Sequence, residues 1–467
     1  MFDGLRRRWS LVAPGFALLA AVGFVAAAGI APGPALLVAA AIGIVLSVRF
    51  PYAAFALAVA LIPAIGWFVS IPLASSATAE AAFGGSLDIP VSDIVAAFAL
   101  AGWAVRAAWL GWRRRDPAWK PQFPVFAPAA AVVFAHVASA WSPLVAPMLP
   151  AFKYAVRPVA FTYVAFVFLA ANLVRNPRRL KQALAAASVG GAAMALVGLA
   201  GTSIALTSGA LLEATPIPVF GQYVFGDNHN AVGETAAYAL PLALALVLLV
   251  RTTRSRRFAW VLAAILALAG VLSFTRSFWI ALAVQLAFLA AAAPSLRASA
   301  RRFVPWATFL LIPAGVGIVG YSLTHEAVGS LGTRATLADI AWTLFRDSPW
   351  IGAGAGTFVG RVSRTLAFVA DFGAPLDAHG LVWKMMAETG IVGLAALLWL
   401  AVAVVRRWMR DVAFLGGPVR DAYLLIVTSA VGSFVYQLFS TSYWTGKLWF
   451  PIGLALAAGV ALREEER

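Results

Sequence analysis

The apolar positions of this chain fall into long stretches that are separated by shorter polar ones. Stretches of about 20 apolar residues recur along the whole sequence, and this is the length that an α-helix needs to cross the hydrocarbon core of a bilayer. A transmembrane β-barrel would instead show alternating segments of about 10 residues, and the sequence has none. The pattern therefore predicts an all-α, polytopic membrane protein.

The apolar stretches predict about 12 to 14 transmembrane helices. The predicted spans lie near residues 11–31, 33–49, 51–72, 91–111, 124–141, 151–173, 183–205, 231–250, 258–274, 278–293, 304–321, 391–405, 422–440 and 449–462. Composition agrees, because 62% of the residues are hydrophobic and only 12% are charged, a balance that soluble domains do not reach. The absence of cysteine excludes thiol catalysis, thiolate metal sites and disulfides.

The basic residues predict the orientation in the membrane. Clusters of Arg and Lys alternate with the spans so that all of them fall on one side: 6–8, 113–115, 175–181, 251–257, 297–302 and 406–410. The positive-inside rule makes that side cytoplasmic and places both termini there. The net charge of +16 thus reports membrane orientation and contact with anionic lipid headgroups, and it does not indicate nucleic-acid binding.

A long polar segment separates the last spans from the rest and divides the chain into three parts. We expect helices with short loops over residues 1–321, a helical cap on the outer surface over 322–390, and C-terminal spans with a cytoplasmic tail over 391–467. Loops this long are usually functional or disordered. The cap carries helical periodicity instead, in a face that ends before Pro349 and consists of Leu337, Ile340, Ala341 and Leu344.

A second short helix is predicted near His379, and we expect Trp383 and Met386 on it to be buried against the membrane domain. The GAGAG motif at 352–356 lacks the strand and the Lys-Ser/Thr pair of a phosphate-binding loop, which favours a flexible turn. Glu388 is expected to anchor the entry into the next span. Glu234 is expected to pair with a cation inside the bundle.

Three basic side chains on the outer side are candidates for chemistry. Arg276, in SFTRSFW, lies in a short turn between two spans, where it either faces the protein interior or anchors the turn at the interface. Arg334, in SLGTR, is either a second anion ligand or a surface arginine. His379 is a candidate general base near neutral pH. Carboxylates on this side are scattered, which disfavours a divalent metal.

A series of motifs in fixed order resembles the superfamily of O-antigen ligases and polymerases of bacterial envelope glycan assembly. The series runs over about residues 220–405 and reads DNHNAVG, SFTRSFW, SLGTR, FRDSPWIGAGAGTF, DAHG and AETGIVGLAALL. The resemblance implies an architecture like that of GT-C glycosyltransferases. It also implies metal-independent, inverting transfer of a glycan from a polyprenyl-diphosphate carrier to an acceptor hydroxyl, with no cofactor, at the periplasmic face of the inner membrane.

The resemblance assigns roles to individual residues. Arg276 and Arg334 match the family's arginines and would bind the diphosphate, and His379 matches its loop histidine. Possible supporting residues are Asn228, Asn230, Asp377 and Glu388. Two positions depart from the usual pattern, because Gly380 stands where the family commonly has asparagine and DNHN stands where Asn-Pro-Asn is often seen.

Three functions remain open from the sequence. A ligase would use a lipid-linked or other glycan as acceptor, whereas a repeat-unit polymerase would use a second lipid-linked unit; partners from an envelope polysaccharide pathway are possible in both cases. The third function is a secondary transporter of a small anion, which predicts cation sites at mid-membrane and repeated halves.

Overall fold

The computed structural model describes nine parts of the chain: residues 42–72, 86–114, 121–142, 160–208, 213–293, 327–363, 365, 376–441 and 445–466. The spans predicted at 11–31 and 304–321 lie outside these residues, as does His325. Within the described parts, seven helices are long and apolar enough to cross a membrane, or eight if one bent pair counts as a span. The prediction of an all-α, multi-pass membrane protein is confirmed.

The described elements follow the order of the predicted spans. They are α1 (Ile42–Arg49), α2 (Pro51–Ala60), β1 (Phe68–Pro72), β2 (Ser86–Pro90), α3 (Val91–Arg114), α4 (Phe126–Ser139), α5 (Tyr163–Leu173), α6 (Pro177–Ser208), α7 (His229–Leu249), α8 (Thr253–Leu272), α9 (Arg276–Ala292), α10 (Ala327–Asp347), α11 (Phe358–Ser363), α12 (Leu381–Ala413), α13 (Gly417–Gln437) and α14 (Gly446–Glu466). The first six residues of α5, Tyr163–Phe168, form a π-helix.

The span predicted at 51–72 is wrong in its second half. Helix α2 ends at Ala60, and β1 pairs with β2 in an antiparallel hairpin. Proline accounts for the start of α2, because Pro51 at its first position fits a helix start but lacks the N–H that would continue α1. The two helices meet at an angle of 114°, so they are a broken element and not the ends of two straight spans.

Helix α7 is the centre of the bundle. It packs against α6, α8, α9, α13 and α14, and 83% of its apolar window is buried inside the protein. Its one carboxylate, Glu234, is 6% exposed and accepts hydrogen bonds from the Lys447 ammonium at 2.8 Å and the Gln437 amide at 2.7 Å. The expected pairing of Glu234 with a cation is confirmed. The pair ties α7 to both C-terminal helices.

A second, smaller hydrophobic core lies beside the start of α12. It includes Leu337 and Ala341, both 0% exposed, and α10 ends at Asp347, two residues before Pro349, as the periodicity predicts. Met386 joins this core, but the expected burial of Trp383 is wrong, because its side chain is 41% exposed. Trp383 and Met386 are three residues apart and lie close together on the helix surface, so periodicity alone predicts the same burial for both. The packing of α12 covers Met386 but not Trp383.

Helix α12 connects the two ends of the bundle. It includes both the short helix predicted near His379 and the span predicted at 391–405, with a break in helical geometry at Gly390. At its far end the buried carboxylate of Asp411 binds Arg407 on the same helix and Arg463 on α14. A helix of this length separates its two ends by roughly 45 Å.

The buried Glu234–Lys447 pair predicts a specific stability effect. In Lys447→Met, Glu234 loses its counter-charge inside the bundle, and we expect a destabilisation of about 3 to 5 kcal/mol. Thermal unfolding in detergent would show this as a lower apparent melting temperature. The double variant with Glu234→Gln removes the lone charge and should recover part of the loss; a double variant that is less stable than Lys447→Met would contradict this account.

Candidate active site

Arg276 is the first residue of α9 and follows a tight turn. Phe274 in that turn adopts the left-handed conformation with φ of 49°. The Thr275 hydroxyl donates a hydrogen bond to the backbone oxygen of His229 at 3.4 Å, so the turn is fastened to the start of α7. A cation in the first turn opposes the helix macrodipole, and helix stability therefore does not explain an arginine at this position.

Arg334 approaches Arg276 from α10. Its guanidinium is half-buried, and burial together with the charge of Arg276 lowers its pKa. The Tyr436 side chain at the end of α13 also faces Arg334. Its hydroxyl donates to the backbone oxygen of Asn230 at 2.7 Å, which brings α13 against the start of α7. The Arg334 guanidinium thus lies within electrostatic range of Arg276 and Tyr436.

The two guanidinium groups have no carboxylate partner among the residues that the structure describes. No Asp or Glu oxygen lies within 4.0 Å of Arg276 or Arg334 there. Three helices also begin around the pair, α7, α9 and α12, and their N-terminal N–H groups carry partial positive charge. Planar arginine forks beside helix N-termini are a favourable environment for phosphate oxygens.

His379 lies beside Arg334, in the turn before α12. Its backbone φ is 47°, a left-handed conformation that is uncommon for a residue with a side chain and that is enriched at active sites. Burial and the charge of Arg334 lower the pKa of the imidazole, and Asp377 opposes them in part. The lowered pKa favours the neutral imidazole, which is the form that accepts a proton.

The supporting carboxylates have structural partners. Asp377 binds the Lys384 ammonium at 2.6 Å. Glu388 is 2% exposed, and its Oε1 accepts a hydrogen bond from the Phe358 backbone N–H at 3.2 Å. The expectation that Glu388 anchors the entry into the span agrees with this contact. The anchored partner is the loop before α11.

The GAGAG segment is a turn, but the expectation that it is flexible is wrong. Its backbone N–H groups donate to α12 and α4, from Ala353 to the Ala387 oxygen at 2.7 Å and from Ala355 to the Ser139 hydroxyl at 2.9 Å. Gly352 has φ of 70°, and a Cβ there would lie 2.3 Å from the backbone carbon of Glu388. The glycines therefore permit close packing of this loop around α12.

The two candidate asparagines lie at the start of α7. Asn228 is the N-cap, and its side-chain oxygen accepts from the Asn230 N–H at 2.8 Å. Asn230 accepts the Tyr436 hydroxyl through its backbone oxygen, which any residue offers. These contacts orient the helix start, and a role in substrate binding stays a prediction.

Within the described ranges no group of three or more His, Asp or Glu side chains is placed to hold a metal ion. Two residues at the site escaped the sequence analysis. Lys384 was recognisable only as one of several cations on the outer side, and Tyr436 lies in a span with no pattern that distinguishes it. Both are identified only by their contacts in the folded structure.

Comparison with known proteins concerns the same part of the chain. A family model described as O-antigen ligase matches residues 231–398. This part of the chain is therefore similar to the O-antigen ligase family, which supports the resemblance to the O-antigen ligase and polymerase superfamily. The matched residues include Arg276, Arg334 and His379, and the match supports a function of the O-antigen ligase or polymerase type. No curated protein matches the sequence.

One departure from the superfamily pattern has a local cause. Gly380 follows the histidine where asparagine is common, and a Cβ at this position would lie 2.9 Å from the backbone oxygen of Leu438. The end of α13 therefore approaches this turn more closely than a side chain allows. An amide at position 380 would require the two segments to move apart.

The loop around Glu388 predicts different effects of two glycine substitutions. Gly352→Ala places a side chain at positive φ against the α12 backbone, and we expect a destabilisation of about 1 to 3 kcal/mol. Gly360→Ala is the control, because it lies in α11 with no atom within 4 Å of the added Cβ. Thermal unfolding in detergent compares the two. Equal melting temperatures would contradict the packing described for this loop.

The environment of His379 predicts its titration. In histidine-labelled protein, NMR should show the His379 imidazole protonating below the ordinary pKa of 6.5, because burial and Arg334 disfavour the cation. Arg334→Gln removes one of these causes and should raise the midpoint. Arg346→Gln, an exposed position on the same helix, should leave it unchanged. A wild-type midpoint above 6.5 would be inconsistent with this site.

Proposed function

We propose that this protein is a metal-independent, inverting glycosyltransferase of the O-antigen ligase type. It would transfer a glycan from a polyprenyl-diphosphate carrier to an acceptor hydroxyl. The observation that carries the proposal is the approach of two half-buried guanidinium groups to each other and to a neutral imidazole, with no carboxylate beside the arginines in the described residues. The family match supports the class of reaction.

The two arginines are suited to bind a diphosphate. Each guanidinium offers a planar set of donors to phosphate oxygens, and its charge does not depend on pH in the working range. Two like charges held close together repel each other, and an anion between them removes that cost. The same charges would stabilise the negative charge that develops on the leaving diphosphate in the transition state.

His379 would act on the acceptor. Its neutral imidazole takes the proton from the acceptor hydroxyl while the hydroxyl oxygen forms a bond to the anomeric carbon. The bond between that carbon and the diphosphate oxygen breaks, and the polyprenyl diphosphate leaves with the electron pair. Attack from the face opposite the leaving group inverts the configuration. The charge of the departing diphosphate is compensated by Arg276 and Arg334.

The position of the site supports a periplasmic active site in a bacterial inner membrane. The site lies at the start of α12, and the basic cluster at 406–410 lies at its far end. If the positive-inside rule holds, the cluster is cytoplasmic, as are both termini, and the site faces the periplasm. Residues 322–390 would form the cap that receives the sugars, and membrane lipids would surround the carrier's prenyl chain.

Alanine variants of the three residues test the proposal. In purified, folded protein in proteoliposomes, Arg276→Ala, Arg334→Ala and His379→Ala should each reduce transfer at least about a hundredfold, because each removes transition-state stabilisation or the base. The lysine variants of both arginines should retain more activity than the alanine variants, since the charge remains but the fork is lost. Arg346→Ala is the matched control on α10 and should transfer normally.

The product distinguishes the possible reactions. With undecaprenyl-diphosphate glycan and candidate acceptors, mass spectrometry shows a single adduct for a ligase and a ladder of repeat units for a polymerase. Normal transfer by all three alanine variants would eliminate the mechanism. Anion flux into the vesicles without any glycan transfer would favour the transporter instead.

A further inference from the structure

Lys384 is a buried cation that the proposed mechanism does not use. Only 3% of its side chain is exposed, although it lies one turn into α12, close to the surface end of the helix. A buried ammonium is costly unless opposite charge accompanies it, so its presence requires an explanation. Its partner, Asp377, belongs to the same short turn as His379.

The ion pair is joined directly to the turn that carries His379. One oxygen of Asp377 binds Lys384 at 2.6 Å, and the other accepts a hydrogen bond from the Ala378 N–H at 2.8 Å. The following residue is His379, with its left-handed backbone. The chain is therefore fixed to α12 immediately before the residue whose conformation is unfavourable.

Neighbouring groups surround Lys384 and hold the ion pair in place. Glu388 lies one helical turn further along α12, and the charge of Lys384 acts on its carboxyl group. Glu388 holds the loop before α11, through the Phe358 N–H. Lys384 also lies near the buried His136 of α4. Lys384 is therefore packed among other side chains, unlike a solvated cation on the protein surface.

We propose that the buried Asp377–Lys384 ion pair is a positioning element for His379, which holds its turn in the left-handed conformation and sets the charge that the imidazole experiences. The inference rests on the proposed function for the role of His379 in transfer. Lys384 itself does not touch the reacting atoms. It acts through Asp377.

The ion pair acts on His379 through charge as well as through geometry. Two charged groups act on His379, Asp377 from its own turn and Arg334 from α10. Arg276 and Tyr436 act on Arg334 in turn, and Lys384 and Glu388 interact with Asp377. Asp377 raises the pKa of His379, and Lys384 is the cation that balances the charge of Asp377. The two single substitutions must therefore shift the imidazole in opposite directions, which general loosening of the fold would not do.

Histidine NMR of the purified full-length protein measures this directly. Asp377→Asn should lower the His379 midpoint, Lys384→Met should raise it, and Lys384→Arg should leave it close to the wild-type value. His379→Gln assigns the signal. Asp411→Asn is the matched control, because it disrupts a buried ion pair of the same kind at the other end of α12 and should not shift His379. Equal midpoints in both single variants would overturn the proposal.

Transfer kinetics test the positioning role. Lys384→Met and Asp377→Asn should reduce kcat by about a hundredfold with little change in KM for the donor, since a misplaced catalytic group lowers turnover and the arginines still bind the diphosphate. Lys384→Arg should retain most of the activity. The Asp411→Asn control should keep the wild-type kcat at a temperature below its melting transition.

The double variant Asp377→Asn, Lys384→Met separates positioning from misfolding. It leaves no lone charge, so it should fold even if a single variant does not, yet kcat should remain reduced because the turn is no longer held. Wild-type kcat in this folded double variant would overturn the inference. Absence of transfer by the wild-type protein would count against the proposed function alone, and the titration of His379 would still decide the role of the ion pair.

Discussion

A charge inside a helical bundle has to be compensated, and this constraint organises the interior of the protein. The cost of removing an ion from water amounts to several kcal/mol, and an opposite charge in good geometry offsets it. Three groups in the described structure obey the rule: Glu234 with Lys447, Asp377 with Lys384, and Asp411 with two arginines. Arg276 and Arg334 do not, because no carboxylate of the described residues lies within 4.0 Å of either guanidinium and the charge of Arg276 acts on Arg334. That imbalance is the physical basis for the proposal of an anionic ligand at this place.

The paired charges also determine where the unpaired ones lie. Glu234 fixes α7 against α14 through Lys447 and against α13 through Gln437. The Tyr436 hydroxyl then fastens the end of α13 to the start of α7. The turn before Arg276 is attached to that same helix start. On the other side of the site, the loop wrapped around Glu388 and the Asp377–Lys384 pair hold the turn of His379. Rigid support of this kind keeps catalytic groups in place without a ligand.

Much of the helical framework was predictable, because it depends on local pattern. The face of α10 that contains Leu337 follows from spacing alone, and the end of that helix follows from Pro349. The prediction from local pattern was wrong where one composition fits two structures. Residues 68–72 are apolar enough for a span, yet they pair with β2, and no local signal identifies a partner strand that lies beyond an intervening segment. The prediction of a flexible GAGAG segment was also wrong. The contacts that pack this segment around Glu388 come from other elements, so its own sequence does not reveal them.

The sequence by itself determined that the chain crosses a membrane many times and which side chains are candidates for the chemistry. Both conclusions rest on composition and on motifs whose residues lie close together along the chain. Only the tertiary structure decided that Arg276 and Tyr436 lie within electrostatic range of Arg334, and that Lys384 binds Asp377 in the turn of His379. The physical reason is that helix periodicity specifies which residues share a face, whereas the approach of two helices depends on how all of their faces pack together.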